Sequence, residues 1–516
     1  MWSFRRHQGM LTVAFGCWCF VLIKAQGSVE EGMQLRCDEL CDYSAWSRHA
    51  YCGEKGLTDI PVQCNNVKTL DVRLNRIDTL QESRLSMFRS LKYLYMVDVG
   101  LQGVEEGAFH RCDALQLLSW GGNEFSVLRS AWLDGLHNLK FMLLDRSQLQ
   151  RIEPGAFNQT PSLQTLDLSG NKFVSPPCDA FGPDNLVTEF YLNDNLISSI
   201  PENCFAKLTN LQRITLNDNP IGNIPMSALA GLTSLKTIEL ANASLSTVPV
   251  GALSPVRKVT HLKMARNLIT ALEERDFSVL PEAEYVDLSY NRIRFVHEHA
   301  FANMLRLKVL ILSSNKIAVI GWRAFIPVES TLEELHLHEN QLQSIGNISA
   351  STILSLHTFL LADNPLQCHC HLSEYRYFLQ TQQHLLQVQG GHGKCINPGS
   401  EIEVSVLESS LTETACPLVS TSARPSVSDP LYAQVPAVPI VPAAITKPAQ
   451  EGTHWTKDRT FIALITVATV TVTLLIVSIA VLVFCRAVDK RTSPTKKHWE
   501  NNNDGIYEVC VPKPDA

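Results

Sequence analysis

The sequence predicts an α/β solenoid of about thirteen stacked units, and three observations indicate this fold. An asparagine recurs every 24 residues, with one step of 25 between Asn315 and Asn340. Two apolar residues in alternating positions precede each site, and a phenylalanine often follows ten residues later. The ladder asparagines are Asn75, Asn123, Asn171, Asn195, Asn219, Asn267, Asn291, Asn315, Asn340 and Asn364. Such a period is typical of a stacked array and not of a single globular core.

The residue types explain how one unit is built. The alternating pair, such as Leu166 and Leu168, fits a short strand with one apolar face turned inward. An asparagine in the following turn can bond backbone groups through both its carbonyl and its amide. The sites of Val99, Ser147 and Ala243 lack this side chain, so weaker or water-bridged rungs are expected there. The phenylalanines should fill the core beneath the back of the array: Phe109, Phe157, Phe181, Phe205, Phe277, Phe301 and Phe325.

This pattern resembles the extracellular leucine-rich repeat across residues 67–366. The resemblance implies a curved horseshoe whose concave face is a parallel sheet, with loops or short helical turns on its back. It also implies cysteine-rich caps at both ends, because an open solenoid exposes its core there.

The two ends of the chain predict a membrane topology. Residues 1–25 read as a secretory signal, since Arg5 and Arg6 precede an apolar stretch. Residues 461–484 carry no charge, are long enough to span a bilayer, and are followed by several basic residues. A buried helix or a lipid-anchor signal would be the alternative, but the charged tail disfavours the anchor. We therefore expect a single-pass type I protein of the plasma membrane, with its N-terminus outside the cell.

The predicted domain organisation follows from these segments. In chain order it comprises a signal peptide (1–25), an N-terminal cysteine cap (26–66), the repeats (67–366), a C-terminal cysteine cap (367–416), a Pro/Ser/Thr-rich stalk (417–460), the membrane span (461–484) and a short cytoplasmic tail (485–516).

The cysteine clusters resemble the family's caps. The resemblance implies the C-terminal pairs Cys368–Cys395 and Cys370–Cys416, although the run Cys368-His369-Cys370-His371 could also suggest a zinc site. The N-terminal cluster departs from the family pattern, because Tyr43 stands where a cysteine is expected. The simplest inference keeps Cys41–Cys52 and pairs Cys37 with the displaced Cys64.

Other cysteines lie within the repeats. Cys112 occupies an apolar slot and is expected to be a buried free thiol. Cys178 and Cys204 fall on the backs of adjacent units, where they could form a bridge or pack independently.

Several residues are candidates for modification. The sequons at Asn158, Asn242 and Asn347 are N-glycosylation candidates, with Asn242 near the concave rim and the other two on the back. In the tail, Tyr507 is a phosphorylation candidate that could bind an adaptor or serve as a sorting signal. It could equally be a tyrosine without a role. Cys485 is a palmitoylation candidate at the inner leaflet.

Residues two and four before each ladder site should point from the concave face. Near the N-terminus these side chains, with flanking ones, form an apolar group that is typical of a protein-binding surface. Alternatively, the N-terminal cap could fold over them and make them core. The middle of this face is polar and acidic, and two histidines, His336 and His338, lie further along. The candidate ligand-binding residues are Tyr93, Tyr95, Val97, Leu117, Phe141, Leu143, Asp167 and Tyr191.

These features favour a receptor or adhesion protein that binds an extracellular protein or a neighbouring membrane receptor. The alternatives are an auxiliary subunit of a channel or co-receptor that acts through its span, and an innate pattern-recognition receptor. The net charge of −7 and the lack of a basic stripe argue against nucleic acid. No nucleophile–base arrangement, metal motif or phosphate loop stands out, so no enzyme, cofactor or metal is predicted.

Overall fold

A computed structural model describes residues 36–381, 394–397, 403–407 and 409. All of them belong to one compact unit, Met1–Thr421, and none to the second unit, Ser422–Ala516. The predicted signal, stalk, span and tail lie outside the described residues. Within the described part of the chain, no helix combines the length and hydropathy needed to cross a membrane.

The described residues form a fifteen-stranded sheet with one short strand per unit. The first two strands form an antiparallel hairpin, and every later neighbouring pair is parallel. In spatial order the strands are Asp42–Ser44, His49–Tyr51, Thr69–Asp71, Tyr93–Tyr95, Leu117–Ser119, Phe141–Leu143, Thr165–Asp167, Glu189–Tyr191, Arg213–Thr215, Thr237–Glu239, His261–Lys263, Tyr285–Asp287, Val309–Ile311, Glu334–His336 and Thr358–Leu360. The predicted solenoid with a parallel sheet is therefore confirmed.

Shorter elements complete the units. Two-residue strands pair in parallel behind the main sheet: Thr79–Leu80 with Gly103–Val104, Val127–Leu128 with Arg151–Ile152, and Ala271–Leu272 with Phe295–Val296 and then Val319–Ile320. The α-helices are Cys37–Leu40, Glu82–Leu85, Val250–Leu253, Ala350–Ser355 and Ser373–Thr381. The 3-10 helices are Val62–Cys64, Ser130–Leu133, Ala156–Gln159, Cys178–Ala180, Ile326–Val328 and Cys370–Leu372.

Asn171 shows how a ladder asparagine joins two neighbouring units. Its amide donates to the carbonyl of Leu168 in its own unit and to that of Leu144 in the previous one, both at 2.8 Å. Its Oδ1 accepts the backbone N–H groups of Ser147 and Leu149 at 3.0 and 2.9 Å. These groups are buried, so each would be costly to leave unpaired.

The three substituted rungs are completed by other groups. At Val99 the backbone carbonyl accepts the N–H of Ile77 at 2.8 Å. The hydroxyl of Ser147 donates to the carbonyl of Trp120 at 3.1 Å, and the carbonyl of Ala243 accepts the N–H of Gly222 at 2.9 Å. Protein groups therefore take over several of the missing bonds, where the sequence predicted weaker or water-bridged rungs.

A left-handed residue stands directly before every ladder site. It turns the chain out of the strand, at a cost of roughly 1–2 kcal/mol for a residue other than glycine. In chain order these residues are Leu74, Asp98, Gly122, Arg146, Gly170, Asp194, Asp218, Asn242, Arg266, Tyr290, Ser314, Glu339 and Asp363. The asparagine bonds that follow offset this cost.

The phenylalanines lie in the core, as predicted, and several of their rings stack on one another. Phe277, Phe301 and Phe325 are buried, with ring centroids 5.8 and 5.7 Å apart and nearly parallel planes. Phe157 stacks on Phe181 in the same way at 5.0 Å. Aromatic packing therefore continues from unit to unit behind the sheet.

Disulfides close both ends of the described array. The N-terminal cap contains Cys37–Cys64 and Cys41–Cys52, the pairs favoured by the sequence. The C-terminal cap contains Cys368–Cys395, so Cys368 is unavailable to a zinc ion. The expected Cys370–Cys416 pair lies outside the described part of the chain.

Three further cysteines lie within the repeats: two form a disulfide and one is a free thiol. Cys178 and Cys204 form a disulfide between adjacent units, which decides between the two alternatives left by the sequence. Cys112 is a buried free thiol, as expected, and its burial raises its pKa to about 12. It is therefore uncharged and packs as a small apolar side chain.

We expect Asn171→Ala to lower the free energy of unfolding by about 3 kcal/mol, because buried backbone groups lose their partners. Ser147→Ala, which removes one hydroxyl from an equivalent site, should cost only about 1 kcal/mol. Urea unfolding of residues 26–421 measures both values. Equal losses in the two variants would contradict the role assigned to the asparagine.

Replacing Cys178 and Cys204 together by serine should lower the free energy of unfolding by about 3 kcal/mol, because the disulfide restricts the unfolded chain. The comparison is made by urea unfolding without reductant. Cys112→Ser serves as the control for introducing serine in place of cysteine. A double variant as stable as the parent would show that the bridge does not restrict the unfolded ensemble.

Candidate functional site

The candidate site lies on the face of the main sheet that points away from the core, which we call the open face. Residues two, four and six before each ladder site belong to this face, because side chains alternate along a strand. In the strand Thr165–Asp167, for example, Leu166 is buried while its two neighbours are half-buried on the other side. The strand register then aligns equivalent residues of successive units into rows.

Six apolar or aromatic side chains from three adjacent strands lie together here, and we call them the aromatic patch. One row runs from Tyr93 through Leu117 to Phe141. The next row contains Tyr95 and Leu143, which lie two strands apart. Phe141 is 39 % exposed and the others are half-buried. The patch consists of Tyr93, Tyr95, Val97, Leu117, Phe141 and Leu143.

The N-terminal cap does not cover this patch. Its hairpin, Asp42–Ser44 with His49–Tyr51, pairs with the edge of the sheet and continues it. The alternative that the cap folds over these residues and makes them core is therefore wrong. The cap satisfies the edge strand's backbone groups and leaves the patch accessible.

An ion pair borders the patch on its N-terminal side. The Arg73 guanidinium contacts both carboxylate oxygens of Asp71, with Nη2 2.6 Å from Oδ2 and Nε 2.9 Å from Oδ1. Its central carbon lies 5.8 Å from the ring centroid of Tyr95. Burial raises the pKa of Tyr95, so its hydroxyl stays protonated and can donate a hydrogen bond.

Asp167 and Tyr191 continue the row of Leu143 on the other side. Burial raises the pKa of Asp167, although bonds from Ser169 partly oppose this effect. The Tyr191 hydroxyl donates to Glu189 Oε2 at 2.9 Å, and burial raises its pKa as well. The structure thus brings both residues beside the patch, but their polar groups already have partners in the chain.

The middle of the open face is more balanced in charge than the sequence indicated. Glu239 lies 2.9 Å from Arg213 and 3.2 Å from Lys263, and its other oxygen accepts the Asn217 amide at 3.1 Å. Arg213 was missed because the sequence was read at two and four residues before the ladder, whereas it stands at six.

A second apolar group near the C-terminal end was also missed, although two of its members, Ile311 and Leu360, stand four residues before their ladder sites. Val309 and Ile311 occupy adjacent open positions of one strand, with Tyr285 one strand before and Leu360 two strands after. All four are half-buried. This group is the natural control surface for tests of the aromatic patch.

His336 and His338 are both half-buried on the open face. Burial lowers the pKa of His336, and the neighbouring His338 adds to this effect. Glu334 and Asp287 act in the opposite direction, and the Glu334 carboxylate lies 3.6 Å from His336 Nε2. His336 is therefore neutral at pH 7.

The predicted glycosylation sites differ in their surroundings. Asn158 is exposed on the back of its unit. The Asn242 amide donates to Asp218 at 2.9 Å on the rim. The Asn347 amide donates to the carbonyl of Ile320 at 2.7 Å, so a glycan there would disturb a bond that holds two units together.

Among the described residues, one group of three potential metal ligands lies close enough to share an ion: Cys37, Cys41 and Cys64. All three sulfurs are in disulfides, so this group cannot bind a metal.

Comparison with known proteins identifies the repeats. The family model "Leucine rich repeat" matches residues 89–149, 118–173, 185–245, 233–293 and 281–331. The matched units are therefore leucine-rich repeats, in agreement with the resemblance seen in the sequence. No curated protein sequence matches the chain.

Solved structures share the fold at low identity. The Toll structure from the Drosophila Toll–Spatzle complex is 20% identical with a TM-score of 0.50. That match covers 60% of this chain and 46% of the Toll chain. The chain therefore spans less than half the length of that Toll structure. A leucine-rich-repeat protein of Leptospira interrogans is also 20% identical, with a TM-score of 0.50, over 68% of this chain and 91% of its own.

Lowering the pH from 7.5 to 5.5 should destabilise the fold through His336. Its pKa is lower in the folded chain than the ordinary 6.5, so the unfolded chain binds the proton first. The stabilising contribution is present above pH 6.5 and is lost as the pH falls toward the folded pKa. Urea unfolding at both pH values should show a smaller loss for His336→Gln, and an equal loss would contradict this prediction.

Proposed function

We propose that this chain is a cell-surface leucine-rich repeat receptor or adhesion protein that binds a protein ligand through the aromatic patch. It would be a single-pass type I protein of the plasma membrane, anchored by residues 461–484. It would act by binding and not by catalysis. Any signal would pass through a partner receptor or through Tyr507 bound to a cytoplasmic adaptor, with Cys485 as a palmitoylated anchor.

The aromatic patch, in which Phe141 is exposed and the other side chains are half-buried, is the observation that carries this proposal. Large apolar side chains on a solvent-facing sheet lower the solubility of a protein unless a partner covers them. Aromatic residues with rigid side chains are enriched where protein interfaces derive most of their binding energy. The Asp71–Arg73 pair on the border would supply the polar rim that usually surrounds such a centre.

The sugar sites support the same surface. Asn158 and Asn347 lie behind the sheet, and Asn242 lies four units beyond Phe141 along the array. Glycans at these positions would leave the patch free. The Toll chain that shares the fold was solved in complex with Spatzle, which supports a binding role at the level of fold alone.

The test is a screen of the full chain, displayed on cells, against a library of secreted and cell-surface proteins. Each hit is retested on the combined variant Tyr95→Ala, Val97→Ala and Leu143→Ala. We expect binding to weaken at least about a hundredfold, because several central apolar contacts are removed together.

The matched control is Tyr285→Ala, Val309→Ala and Ile311→Ala, which removes similar side chains from the same face. This variant should bind like the parent at equal surface expression. Equal binding by all three proteins would place the ligand site elsewhere. A complete screen without a hit would favour the auxiliary-subunit alternative, which exchange of residues 461–484 for an unrelated span would then test.

A further inference from the structure

We propose that a depression in the middle of the aromatic patch receives a lysine or arginine side chain of the protein ligand. This inference rests on the proposed function and adds the chemistry of the ligand. The depression lies on the unit of strand Leu117–Ser119, and we call it the glycine notch. Its floor is Ser119, Gly121 and Gly122, between the unit of Tyr95 and the unit of Leu143.

The floor of the notch is low because its residues are small. Where the neighbouring units carry Tyr95 and Leu143, this unit carries Ser119, and where they carry Val97 and Asp145 it carries Gly121. Ser119 is only 5 % exposed although it belongs to the open face, because larger side chains stand on both sides. Its hydroxyl makes no hydrogen bond within the described residues, so a polar group of a ligand could pair with it.

The backbone does not explain the glycine pair. Gly121 has no positive φ, so any residue could adopt its conformation. Gly122 has a φ of +71°, but Asp98 and Arg146 adopt the same left-handed conformation at the equivalent sites of the neighbouring units. What the pair provides is room for side chains of the two neighbouring units, because a Cβ atom at either glycine would collide with one of them.

Two carboxylates occupy the edge of that space. A Cβ atom at Gly121 would lie 2.5 Å from Asp145 Oδ1, and one at Gly122 would overlap the Asp98 carboxylate. Because the two glycines are adjacent, both carboxylates border the same depression, Asp98 from the preceding unit and Asp145 from the following one. Two negative side chains at the border of one depression favour a cationic group of a ligand there.

The chain satisfies this charge only in part. Asp145 Oδ2 pairs with Arg146 at 3.0 Å, which leaves Oδ1 directed at the notch. Asp98 makes no ion pair in the described part of the chain. By contrast, Asp71 and Glu239 on the same face are paired with arginine or lysine at 2.6 to 3.2 Å. Within the described residues, the notch is therefore bordered by one carboxylate without an ion pair, Asp98, and by the free Oδ1 of Asp145.

The geometry fits a long side chain with an apolar stem and a cationic head. The stem would lie over Ser119 against Tyr95, Val97 and Leu143, and the ammonium or guanidinium would meet Asp98 and Asp145. Lysine and arginine combine these two properties, because their methylene chains pack on apolar surfaces while the charge stays in a polar site. Neighbouring apolar residues of the ligand would cover Phe141 and Leu117.

The probe is a random twelve-residue peptide library displayed on phage, selected on cells that express the full chain. The test variant is Asp98→Asn with Asp145→Asn, which removes both charges and keeps the shapes. Asp194→Asn with Asp218→Asn is the matched control, because these rim carboxylates lie in other units. An N-terminal tag confirms equal surface levels of all variants.

We expect peptides enriched in lysine or arginine next to apolar residues. They should bind the test variant at least about tenfold more weakly and the control variant equally well. Replacing the basic residue by norleucine should cause a similar loss, and binding should weaken with added salt. The same selection is also made on cells that express the test variant. The proposal would be overturned if peptides selected on the parent chain contained no more lysine or arginine than those selected on the test variant.

Two further results separate this inference from the proposed function. If Phe141→Ala with Leu143→Ala abolishes peptide binding while the test variant binds normally, the patch is the site and the notch proposal is wrong. If neither variant matters, both proposals fail. Binding that is lost on chelation by EDTA would mean that a metal ion, and not a basic side chain, occupies the notch.

Discussion

The array depends on the hydrogen bonds of the ladder asparagines, which occupy ten of its thirteen turns. Each unit bends sharply after its strand, and the bend leaves backbone N–H and C=O groups inside the stack. Asn171 bonds groups in its own unit and in the previous one, so the bend of one unit fixes the height of the next. The strand register, and with it the rows of side chains on the open face, follows from that spacing.

This dependence explains what the sequence could predict. Periodicity determines which residues are buried, so the strands, the phenylalanine stacks and the aromatic patch were all predictable from spacing. The cap cysteines were also close to predictable, because an exposed core must be closed at its ends. The membrane topology and the tail remain predictions, since those residues lie outside the described part of the chain.

How far each side chain projects from the open face, relative to its neighbours, was not predictable in the same way. The period says that Ser119 faces outward, but only the neighbouring Tyr95 and Leu143 make it the floor of a depression. Likewise, the ion-pair partners of Glu239 come from two other units. The partial burial of the His336 side chain also depends on residues of neighbouring units. These depressions, ion pairs and degrees of burial depend on contacts between neighbouring units. The residue pattern within one unit does not predict such contacts. The sequence could still have pointed to the notch, since Gly121 and Gly122 form a pair that the ladder itself does not require.

The bridge between Cys178 and Cys204 would affect how the array responds to mechanical load. A solenoid under load separates unit by unit from an end, because each unit contacts mainly its neighbours. The strands that carry the aromatic patch lie between this bridge and the two disulfides of the N-terminal cap. Peeling that starts in the C-terminal units would meet a covalent stop at Cys204 before it reached the patch. The strands of the aromatic patch would therefore be protected from separation that begins at the C-terminal end of the array.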